Sequence, residues 1–147
     1  MATDRIEALL LEAELVGIAT SHCLHPVGAI VVKGDEIIGR GSNQVLVGTP
    51  CNKQGFCSNT QADCTQNLHP SRTVHAEINA ITNALESEYS VVGSTVYISQ
   101  KPCINCLKFL VHTGVEKAFY KDKKDSVKFE DSKLYRDLAK EVNLTGV

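Results

Sequence analysis

Ile6, Leu9, Leu10, Ala13, Leu15 and Val16 recur at helical spacing, and Asp4 followed by Glu7 resembles a capping box, so a first helix is predicted to run to about Ser21. Val27 to Val32 is a continuous apolar, β-branched run, which reads as a buried strand. Gly34-Asp35 is a two-residue hairpin signal, and Glu36 to Arg40 returns as a second strand. From Gly41 to Arg72 no period is visible, and the stretch is rich in Gly, Pro, Asn, Gln, Ser and Thr. The long cysteine-containing loop at its heart is placed at about residues 44–73. Loops of that length inside a compact domain are usually functional or disordered. Val74, Ile78, Ile81 and Leu85, with Ala76, Ala80 and Ala84 between them, predict a second helix starting at His75 or just before it. Thr95 to Ser99 alternates as a strand does. Pro102 suits a helix's first turn, and that helix runs through Leu110 to a stop at Gly114. Val115 to Tyr120 reads as a further strand, and Leu134, Leu138 and Val142 mark the apolar face of a last helix. The order α-β-β-loop-α-β-α-β-α predicts one domain over residues 1–147, a sheet with helices on both faces.

The chain's 147 residues suffice for a core that buries about 70% of the unfolded surface. With 43% hydrophobic and 22% charged residues, disorder, collagen-like repeats and coiled coil are excluded. A net charge of −2 supplies no bulk basic field for a polyanion, which disfavours nucleic acid as a partner. The apolar stretches fall short of the ~18 residues a membrane span needs. Asp4, Arg5, Glu7, Glu12 and Glu14 interrupt the segment where a signal peptide would be apolar. A soluble, cytoplasmic protein is expected. Six cysteines then stand out, because a reducing compartment disfavours disulfides and points clustered cysteines toward metal or catalysis.

Two motifs carry the chemistry: His75-Ala76-Glu77, and Pro102-Cys103-Ile104-Asn105-Cys106, each opening a predicted helix. Cys103 and Cys106 are three apart and so share one helix face, in a first turn whose free N–H groups favour thiolates. With the His75 imidazole they make three zinc ligands, one fewer than a structural site has, which leaves a position for water of lowered pKa. Glu77 is the candidate proton shuttle. On a helix it would point roughly 200° away from His75, reaching the same pocket only because it lies in a first turn against a partner element. Plainer readings exist for each part. His75 can cap a helix or sit in the core, Glu77 can be an ordinary first-turn acid, and Cys103 and Cys106 can be half of a structural zinc site completed by two of Cys51, Cys57 and Cys64.

The paired motif is the signature of zinc deaminases, and the chain from about Ser21 to Tyr120 resembles the cytidine/deoxycytidylate deaminase superfamily, most closely the deoxycytidylate (dCMP) deaminases. The carriers are the strand Val27 to Val32, Gly41-Ser42-Asn43, the block Arg72 to Ile81 and the block Thr95 to Cys106. The resemblance implies a three-layer α/β/α fold around a mixed, mostly parallel sheet of about five strands. It implies hydrolytic deamination at C4 of a cytosine ring, with His75, Cys103 and Cys106 holding zinc and Glu77 shuttling protons. It further implies a sugar contact from Asn43, a pyrimidine contact from the Ala76 N–H, an aromatic or phosphate contact at Tyr120, and a homo-oligomer. Asn43 reads equally as a turn residue, and Tyr120 as core.

Departures from the family pattern also bear on function. The loop after the second strand reads Gly41-Ser42-Asn43-Gln44-Val45-Leu46 rather than Gly-Tyr-Asn-Gly. The stretch His22 to Pro26 lacks an Arg found there in many members, so the phosphate contact passes to Arg72, Lys101 or His25. Several such enzymes carry a second, structural zinc, for which Cys23, Cys51, Cys57, Cys64 and His69 are the candidates. The expected reaction is dCMP to dUMP and ammonia. The competing readings are a tRNA, nucleic-acid, nucleobase or nucleoside deaminase and a non-catalytic zinc- or nucleotide-binding protein.

Overall fold

The computed structural model describes residues 2–21, 23, 25–45, 73–123 and 132–147. The elements are α1 (Ala2–Thr20), β1 (Gly28–Lys33), β2 (Glu36–Ser42), β3 (Gln44–Val45), β4 (Thr73–Val74), α2 (Ala76–Glu86), β5 (Thr95–Ile98), α3 (Ile104–Thr113), β6 (Lys117–Tyr120), α4 (Lys133–Glu141) and β7 (Thr145–Gly146). Five strands form one sheet in the order β2-β1-β5-β6-β7, and β3 and β4 form a separate two-residue antiparallel ribbon. β1 is antiparallel to both its neighbours, whereas β5, β6 and β7 pair in parallel. Four strands therefore share one direction and β1 alone opposes them, which is the mixed, mostly parallel sheet expected.

β1 lies inside the sheet and is covered on both faces, which is why its apolar run does not alternate. Ile30, Val32 and Tyr97 pack with Leu10 and Ala13 of α1. Ala29, Val31, Val96 and Ile98 pack on the opposite side with Ala80 and Ile81 of α2, Leu107 and Leu110 of α3, and Tyr135 of α4. One helix thus covers one face and three cover the other, in three layers.

The layer that carries the chemistry is set by small residues. Ala76, Ala80 and Ala84 of α2 are fully buried against β2. A Cβ at Gly41 would overlap the Ala80 amide nitrogen and lie 2.8 Å from the Ala76 carbonyl oxygen. Glycine at 41 lets the two backbones meet, and alanine on the helix keeps them there. α3 stops where expected, since Gly114 is its C-cap at φ +88°, a conformation glycine adopts without a Cβ penalty.

Several expectations need correction. α1 begins at Ala2, so Asp4 lies in its first turn and favours the helix dipole rather than capping the end. Pro102 lies before α3, whose cap is Cys103 and whose first residue is Ile104. The last helix buries Tyr135, with Leu138 partly buried and Val142 just past its end, while Leu134 is half exposed. The strands β3, β4 and β7 were not expected at all. Each is two residues long, and its pairing depends on a distant partner rather than on its own composition.

Candidate metal and catalytic centre

Two helix N-termini converge on one point. His75 is the N-cap of α2 (φ −70°, ψ 154°), and its carbonyl accepts from Asn79 N at 3.1 Å. Cys103 is the N-cap of α3 (φ −74°, ψ 167°), and its Sγ accepts from Cys106 N at 3.5 Å in the manner of a capping side chain. Cys106, one turn in, is 1% exposed. His75 Nδ1 lies 3.2 Å from Cys106 Sγ and 3.5 Å from Cys103 Sγ. The three ligand atoms all fall within 4.8 Å of one another. Zinc bonds of ~2.3 Å to sulfur and ~2.0 Å to nitrogen put tetrahedral ligand atoms ~3.6 Å apart, so this donor set suits zinc.

Among the described residues these three form the one group of His, Cys, Asp or Glu side chains close enough to hold a metal ion. Two soft thiolates with an imidazole suit zinc, and among the described residues no fourth side chain joins them, which leaves a position for water of the kind a catalytic site has. Cys51, Cys57, Cys64, His69 and Arg72, named as candidates for a second zinc or for phosphate, lie outside the described residues. Cys23, the other second-zinc candidate, is buried, and its thiol lies 3.6 Å from the Asn43 carbonyl oxygen.

The protons are unevenly shared. The Cys103 thiol is drawn down to about 4, first by the hydrogen bond from Cys106 and then, against the cost of burial, by those from His75 and the Cys106 amide. Cys106 moves the other way because it donates to the Cys103 thiolate, is buried, and faces Glu77. His75 is raised chiefly by its hydrogen bond with Cys103, against the opposing effect of burial. The two thiols thus share a hydrogen bond that favours a thiolate within the ligand set, and an entering dication has a remaining thiol proton to displace. Glu77, 4% exposed, is raised above the ordinary carboxylate value, first by burial and opposed by its own backbone N–H, Cys106 and His75.

The 200° separation of His75 and Glu77 does not hold. His75 is extended and outside the helix, so the helical angle does not apply between the two residues. Its Nδ1 lies at the cluster while Glu77, in the first turn, faces Cys106 and His75.

The substrate candidates divide. Ala76 is buried as the first residue of α2, where a backbone N–H has no acceptor within the helix. Asn43 Oδ1 accepts from Val27 N at 2.9 Å and from Ser21 Oγ at 2.6 Å, while Nδ2 donates to the His25 carbonyl at 2.9 Å. The carboxamide therefore pins the segment between α1 and β1, which is the turn role. Tyr120 is partly buried against the core and pairs with Gly146 of β7. The Lys101 ammonium lies 5.1 Å from the centre of the Tyr135 ring. His25 is exposed.

Two residues with a part in the site escaped sequence reasoning. Asn79 Nδ2 donates to the Ser42 carbonyl at 2.8 Å and so ties α2 to the end of β2. Tyr135 donates from its buried hydroxyl to the Pro102 carbonyl at 2.7 Å, beside the first cysteine ligand. A faint signal existed for Tyr135, which lies three residues before Leu138 and seven before Val142.

The sequence profile of the cytidine and deoxycytidylate deaminase zinc-binding region matches residues 5–122. ComE operon protein 2 of Bacillus subtilis is 30% identical over 95 residues, 64% of this chain and 47% of that protein. A tRNA-specific adenosine deaminase of Buchnera aphidicola is 27% identical over 97 residues, 65% of this chain and 47% of that one. The chain thus spans about half the length of these curated relatives. The crystal structure of apo dCMP deaminase from cyanophage S-TIM5 superposes with a TM-score of 0.72 at 28% identity, covering 100% of both chains. The same enzyme in complex with dCMP and dUMP gives 0.69 at 26% identity, covering 100% of this chain and 98% of that one. A match over most of the chain, a shared fold and a converging His75, Cys103 and Cys106 lead to one conclusion: the chain belongs to the cytidine and deoxycytidylate deaminase family.

Proposed function

We propose that the protein is a zinc-dependent dCMP deaminase, hydrolysing the exocyclic C4–N bond of the cytosine ring to give dUMP and ammonia. The observation that carries the reaction class is a three-member ligand set facing a buried carboxyl. The free nucleotide is favoured by the whole-chain likeness to an enzyme crystallised with dCMP and dUMP. A net charge of −2 supports the same choice over a polynucleotide.

Zinc held by His75, Cys103 and Cys106 supplies Lewis acidity at neutral pH. Glu77 does the proton work. As the water oxygen bonds to C4, its carboxylate takes one water proton and delivers it to the ring nitrogen beside C4. It then carries the remaining proton of the new C4 hydroxyl to the amine, which leaves as ammonia as the C4–N bond breaks and the C4–O bond becomes a carbonyl. Burial raises Glu77 and so brings its acidity closer to working pH. In this reading the Ala76 N–H, which heads α2 without an acceptor inside the helix, is the donor to the pyrimidine carbonyl. Asn43, while it pins its own loop, keeps one amide hydrogen for the sugar. Tyr120, Lys101, His25 and Arg72 are the candidates for the phosphate side, and Cys23, Cys51, Cys57, Cys64 and His69 those for a second zinc.

A deamination panel on zinc-loaded protein tests the reading, comparing dCMP, CMP, deoxycytidine, dCTP and cytosine by absorbance loss and ammonia release. Preference for dCMP is expected. Preference for an unphosphorylated or triphosphorylated substrate would refute the monophosphate assignment. Inactivity on all five with zinc bound would move the reading to a polynucleotide or to a binding role. We also propose a homo-oligomer. A light-scattering mass above the 16.0 kDa of one chain is expected at micromolar protein, and a mass equal to it would refute the proposal.

A further inference from the structure

Tyr135 is the one buried phenol whose hydroxyl is bonded beside the ligand set among the described residues. It lies in the first turn of α4, where Ser132 Oγ accepts from its amide at 3.1 Å, and it is 4% exposed. Its hydroxyl donates to the Pro102 carbonyl at 2.7 Å, 33 positions away in the chain. That carbonyl belongs to the peptide linking Pro102 to Cys103. The orientation of this peptide is coupled to φ of Cys103 and so to the Cα–Cβ bond that carries Sγ. Proline fixes its own φ but leaves ψ free, so nothing local holds the peptide plane. Cys103 is an N-cap, tied to the helix through its carbonyl, which accepts from Leu107 N at 2.9 Å, and its Sγ, which accepts from Cys106 N, whereas the peptide before it lies outside the helix. Leu138 and Ala139 pack on the core behind Tyr135, and the Lys101 ammonium sits over its ring.

We propose that Tyr135 is a positioning residue for zinc, acting through the Pro102–Cys103 peptide to aim the Cys103 thiolate at the ion. The inference rests on the zinc reading of His75, Cys103 and Cys106. Groups that orient a metal ligand typically govern metal affinity by ~10- to 100-fold when removed. Tyr135→Phe keeps the ring and deletes only the donor. Leu138→Ala loosens the packing of the same helix and keeps the hydroxyl.

The test is chelator competition on the full chain loaded with zinc, together with the absorption spectrum of the cobalt(II)-substituted protein. Tyr135→Phe is expected to release zinc ~10-fold more readily and to shift the thiolate–cobalt bands. Leu138→Ala is expected to lower the unfolding temperature with zinc affinity and cobalt spectrum unchanged. Wild-type affinity and spectrum in Tyr135→Phe would overturn the inference. So would a Tyr135→Phe chain that fails to fold in saturating zinc, since the hydroxyl would then serve the fold rather than the ligand. A wild-type chain that binds no zinc would refute the metal reading itself, an outcome distinct from both.

Discussion

At the scale of single residues, the site is a problem in where protons reside. The cluster pulls the Cys103 thiol down to about 4, while burial and donation to Cys103 push Cys106 up. Zinc must displace the remaining thiol proton and any on His75, so binding releases protons and strengthens as pH rises. Each proton released makes apparent affinity rise ~10-fold per pH unit, so chelator competition between pH 6 and 8 should show a rise of at least that slope. Affinity that falls or stays flat over that range would refute the proton inventory. Glu77 is held to a different expectation, since it is not among the grouped ligands. Glu77→Gln should keep its zinc and lose ~10²- to 10⁴-fold in kcat. Loss of zinc in that variant would make the carboxylate a ligand, and full activity would make it a bystander.

The elements show how a short motif becomes a site. His75-x-Glu77 and Cys103-x-x-Cys106 are separated by most of α2, β5 and their connections, and they meet because α2 and α3 both lie on one face of the sheet. α2 is seated by its alanines on β2, where Gly41 leaves room for the Ala80 backbone. Gly41→Ala should lift the helix, cost ~1–3 kcal/mol by calorimetry, and weaken zinc binding along with stability. Gly114→Ala is a useful contrast. Its strain at φ +88° is confined to the far end of α3, so ~1 kcal/mol of stability should go while zinc affinity stays. Equal effects of the two substitutions on zinc would mean that helix seating does not position the ligands. The longer helices and β1 were legible because each carries its own period or run of apolar residues. The caps were legible only to within a residue or two. Pro102 suits a first turn by itself, and only the extended ψ of 167° at Cys103 shows the helix starting beyond it. Asn43 reads as sugar contact or turn because a carboxamide serves either, and its bonds to Val27, Ser21 and His25 show that it pins the turn, whatever it also offers a sugar.

For the whole molecule, a ligand set drawn from two helices links metal binding to folding. Zinc bound only by the native chain stabilises it by about 4 kcal/mol at a free concentration 1,000 times the dissociation constant. Removing it by dialysis against chelator should lower the unfolding temperature by several degrees, and readdition should restore it. An unchanged transition would refute the linkage. No helix among the described residues is long and apolar enough to cross a membrane. By itself, the sequence determined what depends on residue type and local spacing: the helices, the strand β1, the identities of three ligands, and the family. Two thiols three positions apart, and a histidine two before a glutamate, are chemistry that survives without coordinates. The tertiary structure decided what depends on partners far away in the chain. It placed His75 outside its helix, paired two-residue strands, and set the Tyr135 hydroxyl against Pro102. The physical reason is that a period or a motif is written within one segment, whereas a hydrogen bond spanning 33 positions is specified only by packing.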